Sequence, residues 1–373
     1  MFIKKQLKIF VDGYLLNKEH QGTKTYVREL YKVFAKQNPD ILIFIGCFKD
    51  AAIEDEFKHH KNVKFIYFTY SNRVFRMIFE IPKIISSYNF HFAHFQYVIP
   101  FVTSKSCKYI VTIHDILFND FTNYFSKAYR LKRNFLFKYS AKRAEFLLTV
   151  SNYSKDRIKF HYKLQNKEIL VTPNGVSDDF FKETEKSESI KYIDTKFGIN
   201  NYILYVSRIE PRKNQQSLLK AFLEMNDQKV HIVFIGFKSI NNIEFDSILD
   251  SLNSEQKSKV HIFQNISDND LFYFINAARI FAYPSLAEGF GIPPLEAGAM
   301  KTPVVCSNKT AMSDFDFFNK NLIDVDDVES LKASLKNNLY NDNESHLAFV
   351  QKSIKEKYHW KKASDVLTDI IKS

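Results

Sequence analysis

Two groups of residues in the second half of the chain have the spacing of a site that handles a phosphate and a sugar. The stretch YPSLAEGFGIPPLEAGA, 283–299, sets Glu288 before a Gly289–Phe290–Gly291 turn and Glu296 beyond it, with seven residues between the two carboxylates. Glycines on either side of one residue suit a tight turn that exposes consecutive backbone N–H groups. Pro293 and Pro294 suit the first turn of the helix that follows. Such a helix offers an anion its positive end and its unpaired amides, while the carboxylates accept hydrogen bonds from hydroxyls. Taken singly, each part has a plain structural alternative. EGFG also suits an ordinary strand-to-helix turn, and a helical glutamate is usually a solvated side chain.

The second group is Arg208 and Lys213 in SRIEPRKN, five positions apart, with Pro211 between them. Two cations directly after a buried strand neutralise a departing nucleotide diphosphate, a task that other enzymes give to a divalent metal. No metal is required, and no cofactor is implied beyond the nucleotide sugar itself as substrate. The plainer alternative is an ion pair with Glu210 plus surface charge, which fits Arg212 better than the strand-end Arg208. In the first half, His114 and Asp115 close the strand YIVTIHD, 109–115, and Gly22 and Thr23 open the helix GTKTYVREL, 22–30. A lone histidine of this kind is often a satisfied core residue, Asp115 suits an N-cap, and one glycine turn is weak evidence.

These residues need strands to end in front of them. Short runs rich in Ile, Val, Phe and Tyr recur between helical stretches, the pattern of parallel strands buried on both faces. One series includes 7–13, 41–48, 63–69, 90–96, 109–115, 146–151 and 168–175; a second runs through 202–209, 230–237, 260–266, 279–285 and 302–308. In such sheets, ligands collect beyond the carboxyl ends of the strands, where the candidate residues fall. The fold class is α/β, with two doubly wound, Rossmann-like domains facing each other across a cleft. The boundaries are 1–178 and 179–352 for the two domains and 353–373 for a final amphipathic helix. The polar stretch 177–198, poor in periodicity, is assigned to the linker. Trp360, Ala363, Val366, Leu367 and Ile370 fall on one side of the last helix.

At 373 residues the chain exceeds one ordinary core, and its three cysteines are too scattered for a metal knuckle or a disulfide framework. No segment offers the run of about 20 apolar residues that a membrane span needs. A cytoplasmic location follows as the expectation, at most peripheral to the inner face of the membrane. The formal charge of +11 is concentrated at one end: residues 1–180 hold 29 Lys/Arg against 16 Asp/Glu. Between Lys127 and Arg143 stand seven basic residues and no acidic one, interleaved with Tyr129, Phe135, Phe137 and Tyr139. Lys132, Arg133, Lys138 and Lys142 are therefore candidates for an anionic membrane surface or a pyrophosphate-linked acceptor, with a solvated helix face as the plainer alternative. No zinc-finger spacing or RNA-binding aromatic signature accompanies the charge, so nucleic acid is not among the expected partners.

With these motifs in place, the chain resembles the retaining glycosyltransferases of the GT-B fold, the large family with two glutamates separated by seven residues. That family includes bacterial mannosyl-, glucosyl- and rhamnosyltransferases of surface-polysaccharide assembly. GTKTYVREL resembles its glycine loop, VTIHD its histidine strand, ILYVSRIEPRKN its Arg/Lys phosphate site and LAEGFGIPPLEAGA its double-glutamate motif. The resemblance implies that Arg208 and Lys213 bind the diphosphate and stabilise the leaving group. It implies that Glu288 and the Gly289–Phe290–Gly291 amides hold the donor sugar and distal phosphate, and that Glu296 binds the ribose hydroxyls. His114 would touch the donor sugar, and Gly22 would line the phosphate pocket. The resemblance further implies that residues 1–178 bind the acceptor, that 179–352 bind the nucleotide sugar, and that the closing helix, 353–373, packs back on the first domain. The sugar would be delivered to the face that the nucleotide leaves, with the leaving phosphate helping to deprotonate the acceptor, so Glu288 need not be a nucleophile. Likeness to mannosyltransferases implies mannose from GDP-mannose as donor and a lipid-linked oligosaccharide of O-antigen or polysaccharide synthesis as acceptor. The chain departs from the pattern at Lys24, where a second glycine is usual, at Lys301, and across AMSDFDFF, 311–318. A catalytically idle nucleotide-sugar-binding subunit and a sugar-nucleotide epimerase of the same fold are the rival readings; the second would need an additional acid/base pair that the chain does not offer.

Overall fold

A computed structural model of the chain describes residues 6–17, 22–341 and 343–373. The chain divides into two compact units, residues 1–175 with 360–373 and residues 176–359. The sequence boundaries of 178 and 353 fall a few residues from these.

Unit 1 runs β1 (Lys8–Asp12), α1 (Gly22–Gln37), β2 (Leu42–Cys47), α2 (Ala51–Phe57), β3 (Val63–Tyr67), α3 (Arg73–Phe75), a π-helical turn (Arg76–Glu80), α4 (Ile81–Tyr88), β4 (Phe92–Gln96), β5 (Lys108–Thr112), α5 (Lys127–Arg143), β6 (Phe146–Thr149), α6 (Asn152–Tyr162) and β7 (Ile169–Val171). Its sheet is parallel, in the order β3-β2-β1-β4-β5-β6-β7. The order reverses between β1 and β4, so right-handed crossovers put α1 and α2 on one face and α4, α5 and α6 on the other. Alternation along each strand feeds both faces. Phe10, Ala93, Phe95, Tyr109 and Val111 pack with Met77 and Ile81, with Phe137 and with Ile158 in one core.

Unit 2 runs α7 (Lys186–Phe197), β8 (Tyr202–Val206), α8 (Gln215–Met225), β9 (His231–Ile235), α9 (Ile243–Ser251), α10 (Ser254–Lys259), β10 (Val260–Phe263), α11 (Asp268–Ala277), β11 (Ile280–Tyr283), α12 (Ile292–Ala299), β12 (Val304–Ser307), β13 (Leu322–Ile323), α13 (Val328–Tyr340) and α14 (Glu344–Lys357). Its parallel sheet has the order β10-β9-β8-β11-β12-β13, reversing between β8 and β11. The chain then returns to unit 1 as α15 (Trp360–Lys372), which packs on α1.

The expected strands are present, and the two-residue β13 is an addition too short to leave a pattern in sequence. The linker assignment for 177–198 is corrected, because most of this stretch is α7, folded into unit 2. Its packing face mixes polar groups with buried Ile193 and half-buried Phe197, which blurs its periodicity. Tyr192 stacks on Tyr273 at 4.2 Å and donates to Asp270 at 2.7 Å, while Ser189 accepts from Asn276 at 2.8 Å. Along α15, Trp360, Ala363, Leu367 and Ile370 are buried as expected, whereas Val366 is only half-buried. Cys47, Cys107 and Cys306 are unpaired and buried. Among the described residues no helix is long and apolar enough to cross a membrane.

Candidate functional site

In a doubly wound sheet the carboxyl ends of the strands beside the order reversal form the natural ligand crevice. In unit 2 those strands are β8 and β11, and the segments that leave them carry Arg208, Lys213, Glu288 and Gly291. The two segments are fastened to each other. Arg212 donates to the carbonyl of Ala287 at 2.7 Å and accepts from the Leu286 amide at 2.9 Å, and the Asn214 amide donates to the Pro284 carbonyl at 3.1 Å. Pro211 starts a 3₁₀ turn that ends at Lys213, and Asn214 takes the left-handed conformation (φ 60°) that reverses the chain into α8.

This fastening brings Lys213 and Glu288, 75 positions apart, into a buried ion pair. Tyr283 supports both partners, donating to Glu288 Oε1 at 2.9 Å and lying 3.3 Å from Lys213 Nζ. The Lys213 carbonyl accepts from the Tyr205 hydroxyl at 2.6 Å. Burial by itself raises the Glu288 carboxyl, but the charges of Lys213 and Arg212, with hydrogen bonds from Lys213 and Ser285, outweigh it and bring the pKa down to about 2. Burial pulls the Lys213 ammonium down to about 8, against the opposing charge of Glu288. The pair is ionised at neutral pH. Arg208 differs: its side chain is 45% exposed and reaches only 3.9 Å from Glu210. One cation is thus locked in the floor and the other is held out toward solvent.

Glu288 is anchored on its other side by Thr310, whose Oγ1 accepts from the Glu288 amide at 2.9 Å. Gly291 is the N-cap of α12 with φ 102° and ψ 69°, a conformation that L side chains rarely adopt, and the two prolines fall in the first turn as expected. The Phe290 ring packs between Phe315 and Tyr358, so this residue brings only its backbone to the site. Gly289 is buried and Glu296 is half-buried in the second turn of α12. Among the described residues no group of three or more His, Cys, Asp or Glu side chains is set to hold a metal ion.

Unit 1 brings a second set together at the carboxyl ends of its own strands. His114 is buried, with Nε2 at 2.8 Å from Gln96 Oε1, and its ring lies 5.1 Å from Tyr97 and edge-on to Tyr26 at 4.8 Å. Burial, aided by neighbouring His94, lowers its pKa to about 3, so the imidazole is neutral. Thr23 Oγ1 lies 3.2 Å from the Tyr97 hydroxyl. Gly22 begins α1 in an exposed position where an added methyl would meet nothing within 4 Å. Asp115 accepts from the Leu117 amide at 3.2 Å, a local side-chain turn; the N-cap of the 3₁₀ turn that follows is Ile116, so Asp115 does not take the N-cap position weighed for it. On α5, Lys132 and Lys142 are exposed and Lys138 is half-buried, while the Arg133 guanidinium folds over Tyr129 and Phe137 at 5.0 and 5.4 Å.

Four supporting residues carry little signal in a local scan. Arg212 pairs with Glu210 at 2.5 Å, but it is 13% exposed and lies 3.5 Å from Glu288, so it is part of the site floor and not surface charge. Tyr97 joins Thr23 to His114 from a left-handed backbone (φ 67°), unusual for a tyrosine. Thr310 and Asn214 act through partners 22 and 70 positions away. Only the EPRK sequence, a proline turn packed with charge, hints at the first of these.

Residues 187–356 match the family model of glycosyl transferases group 1, and residues 20–180 match that of glycosyltransferase family 4. Between them the two models span most of the chain. The chain is 31% identical over 229 residues to the O-antigen chain mannosyltransferase RfbU of Salmonella typhimurium, covering 61% of this chain and 60% of that protein. It is 29% identical over 211 residues to the O-antigen chain mannosyltransferase B of Escherichia coli, covering 55% and 54%. The matched stretches thus span little more than half the length of these curated relatives. Among solved structures, sucrose-phosphate synthase from Thermosynechococcus elongatus superposes with a TM-score of 0.77 at 14% identity, covering 98% of both chains. HepE of Anabaena, in complex with UDP and glucose, gives 0.75 at 15% identity, covering 98% of this chain and 99% of that one. At such identities the likeness concerns the fold, and the fold is shared end to end. The paired family models, the O-antigen relatives and the two Rossmann-like units together make this chain a member of the GT-B glycosyltransferases that resembles the O-antigen mannosyltransferases.

Proposed function

We propose that this protein is a retaining hexosyltransferase that moves mannose from GDP-mannose to a glycan acceptor, without a divalent metal. The observation that carries the reading is the buried Lys213–Glu288 pair beside the Gly291 opening of α12, with the exposed Arg208 on the same strand-end shelf. Together these supply fixed positive charge, helix-end amides and a carboxylate that stays ionised. As the bond from the sugar's anomeric carbon to phosphate breaks, charge develops on the leaving diphosphate, where Arg208 and Lys213 stabilise it. The acceptor oxygen takes the anomeric carbon, and its proton passes to the leaving phosphate. Glu288 orients the sugar and Glu296 the ribose. At the strand ends of unit 1, Gly22, Thr23 and His114 are assigned polar contacts with phosphate or sugar.

Support for mannose is the naming of the relatives as O-antigen chain mannosyltransferases. For the acceptor, a lipid-linked oligosaccharide fits the uninterrupted basic run of α5, with Lys132, Arg133, Lys138 and Lys142 facing anionic headgroups from the cytoplasmic side. The test is a thermal-shift panel of GDP-, UDP-, dTDP- and ADP-sugars in EDTA, on the wild type and on Arg208→Ala. Stabilisation by GDP-mannose that the variant loses is the expected outcome, since a ligand bound only by the folded state raises its melting temperature. Stabilisation by another nucleotide alone overturns the donor assignment, and a shift that appears only with added magnesium overturns metal independence.

A further inference from the structure

Between Arg73 and Glu80 two charged residues turn inward and aromatic ones face solvent, although Met77 here and Ile81 and Ile85 of α4 keep the usual inward apolar side. Arg76, only 1% exposed, points into unit 1, where its guanidinium lies over Tyr14 at 4.4 Å, Phe68 at 5.0 Å and Phe48 at 5.4 Å and donates to the Tyr70 carbonyl at 3.0 Å. Glu80, likewise buried, accepts the amides of Thr69 at 2.6 Å and Tyr70 at 3.3 Å. The side turned to solvent carries Val74, Phe75 and Phe79, at 63%, 52% and 58% exposure. Phe75 and Phe79 pack against each other at 6.0 Å, and Tyr70 stacks on Phe75 at 6.3 Å. A helix in a water-facing layer ordinarily has the opposite polarity. The π-helical turn lies within this segment, an irregularity that recurs where helices serve function.

Exposed apolar side chains extend over one face of unit 1. The crossovers place α4, α5 and α6 on the same side of the sheet, and that side also shows Phe101 and Val102, Leu131 and Phe135 on α5, and Phe160 on α6. The Phe101 ring lies 4.8 Å from Tyr139 of α5, which makes the loop continuous with that helix. Among the described residues, no large apolar side chain is exposed on α1, α2 or α15, which cover the opposite side. Cations border the apolar residues: Arg73 precedes Phe75, Lys83 lies one turn beyond Phe79, and on α5 Lys138 and Lys142 continue the stripe of Leu131 and Phe135. We propose that this face, led by Phe75 and Phe79, is the surface by which the protein seats itself on an anionic lipid bilayer, with the rings below the headgroups and the cations among them. A second copy of the chain is the less suitable occupant, because a two-fold contact would bring the basic run of α5 close to its own image. The inference deepens the lipid-linked acceptor reading and depends on it for purpose.

The test is co-sedimentation of the full chain with vesicles of phosphatidylcholine alone and of phosphatidylcholine mixed with phosphatidylglycerol. Three proteins are compared: wild type, Phe75→Asp/Phe79→Asp, and a variant with Lys132, Arg133, Lys138 and Lys142 changed to Gln. The wild type is expected to bind the mixed vesicles, and the aromatic variant to bind them roughly a hundredfold more weakly, since each phenyl ring withdrawn from water is worth about tenfold or more. Its melting temperature and its response to nucleotide should stay as in the wild type, because both rings are exposed. Undiminished binding by the aromatic variant alongside loss in the basic variant overturns this face while leaving the acceptor reading in place. Absence of wild-type binding to either vesicle overturns the proposal and leaves the donor test unaffected. A wild-type dimer that the aromatic variant converts to monomer, with no vesicle binding, replaces the bilayer by a second copy.

Discussion

At the scale of single residues, the candidate site turns on a lysine whose proton is weakly held. Burial lowers Lys213 to about 8, below its ordinary 10.5, so near pH 8 to 9 a fraction of the empty protein carries it neutral. A diphosphate bound beside it favours the ammonium, so binding should take up protons in that window, and nucleotide affinity should fall as pH rises through about 8. Calorimetry at pH 8.5 in two buffers of different ionisation enthalpy reads this uptake directly. Lys213→Arg, which stays protonated, should abolish the linkage; if wild type shows none, phosphate does not lie beside Lys213. For folding stability the sign at Glu288 is the usual acidic one. With its pKa depressed to about 2, its contribution is complete above the ordinary carboxylate value of 4.5 and is lost as pH falls toward 2. Sequence made Lys213 and Glu288 visible because both sit in compact motifs beside glycine or proline. Arg212, which ties the two motifs together, was out of reach: its partners Ala287 and Glu288 lie 75 and 76 positions away, and no local pattern encodes a contact of that kind.

At the scale of elements, strands were the legible part. Each buried parallel strand must be apolar on both sides, which writes a short run into the sequence whatever its neighbours. Helices that pack through hydrogen bonds left no such trace, as α7 shows with Ser189 and Tyr192 on its contact face. The segment Arg73–Glu80, with Arg76 and Glu80 turned inward, was illegible for a related reason. Its alternation of charged and aromatic residues has helical period, but which face turns inward depends on Tyr14, Phe48 and Phe68, supplied by other elements. The loop that opens α12 makes a sharper demand. Gly291 sits at φ 102°, and an added Cβ would also come within 3.1 Å of Met312 Cγ. Gly291→Ala should therefore cost about 1–3 kcal/mol in thermal unfolding from backbone strain, and should weaken nucleotide binding beyond that of a destabilised control by turning the α12 amides. A variant that melts lower yet binds nucleotide as tightly as wild type would detach the turn from the donor site.

At the scale of the whole chain, the two units are unequal in how they are closed. Unit 2 is one continuous segment, residues 176–359, whereas unit 1 needs residues 360–373 after the chain has passed through unit 2. The amphipathic pattern of the last helix announced that it packs somewhere. That it caps α1 is fixed by tertiary details: Thr368 accepts from Asn38 at 2.9 Å, the Gln37 amide donates to Asp365 at 2.9 Å, and Trp360 lies edge-on to Tyr26 at 6.1 Å. Gly175 is part of the same fit, since a Cβ there would fall 2.4 Å from the Trp360 backbone nitrogen. Trp360, Leu367, Ile370 and Ile371 are all buried in this contact, and at about 1.5–3 kcal/mol for each large apolar side chain their burial is worth several kcal/mol. That is a large share of the roughly 5–15 kcal/mol by which a domain is ordinarily stable. Truncation after His359 should accordingly raise amide hydrogen exchange throughout α1 and the strands of unit 1, while β8, β11 and α12 keep their protection and unit 2 keeps its nucleotide response. Exchange in α1 that matches the full-length chain would mean that α15 is a passive tail, and a general rise across both units would mean that the two fold as a single cooperative body.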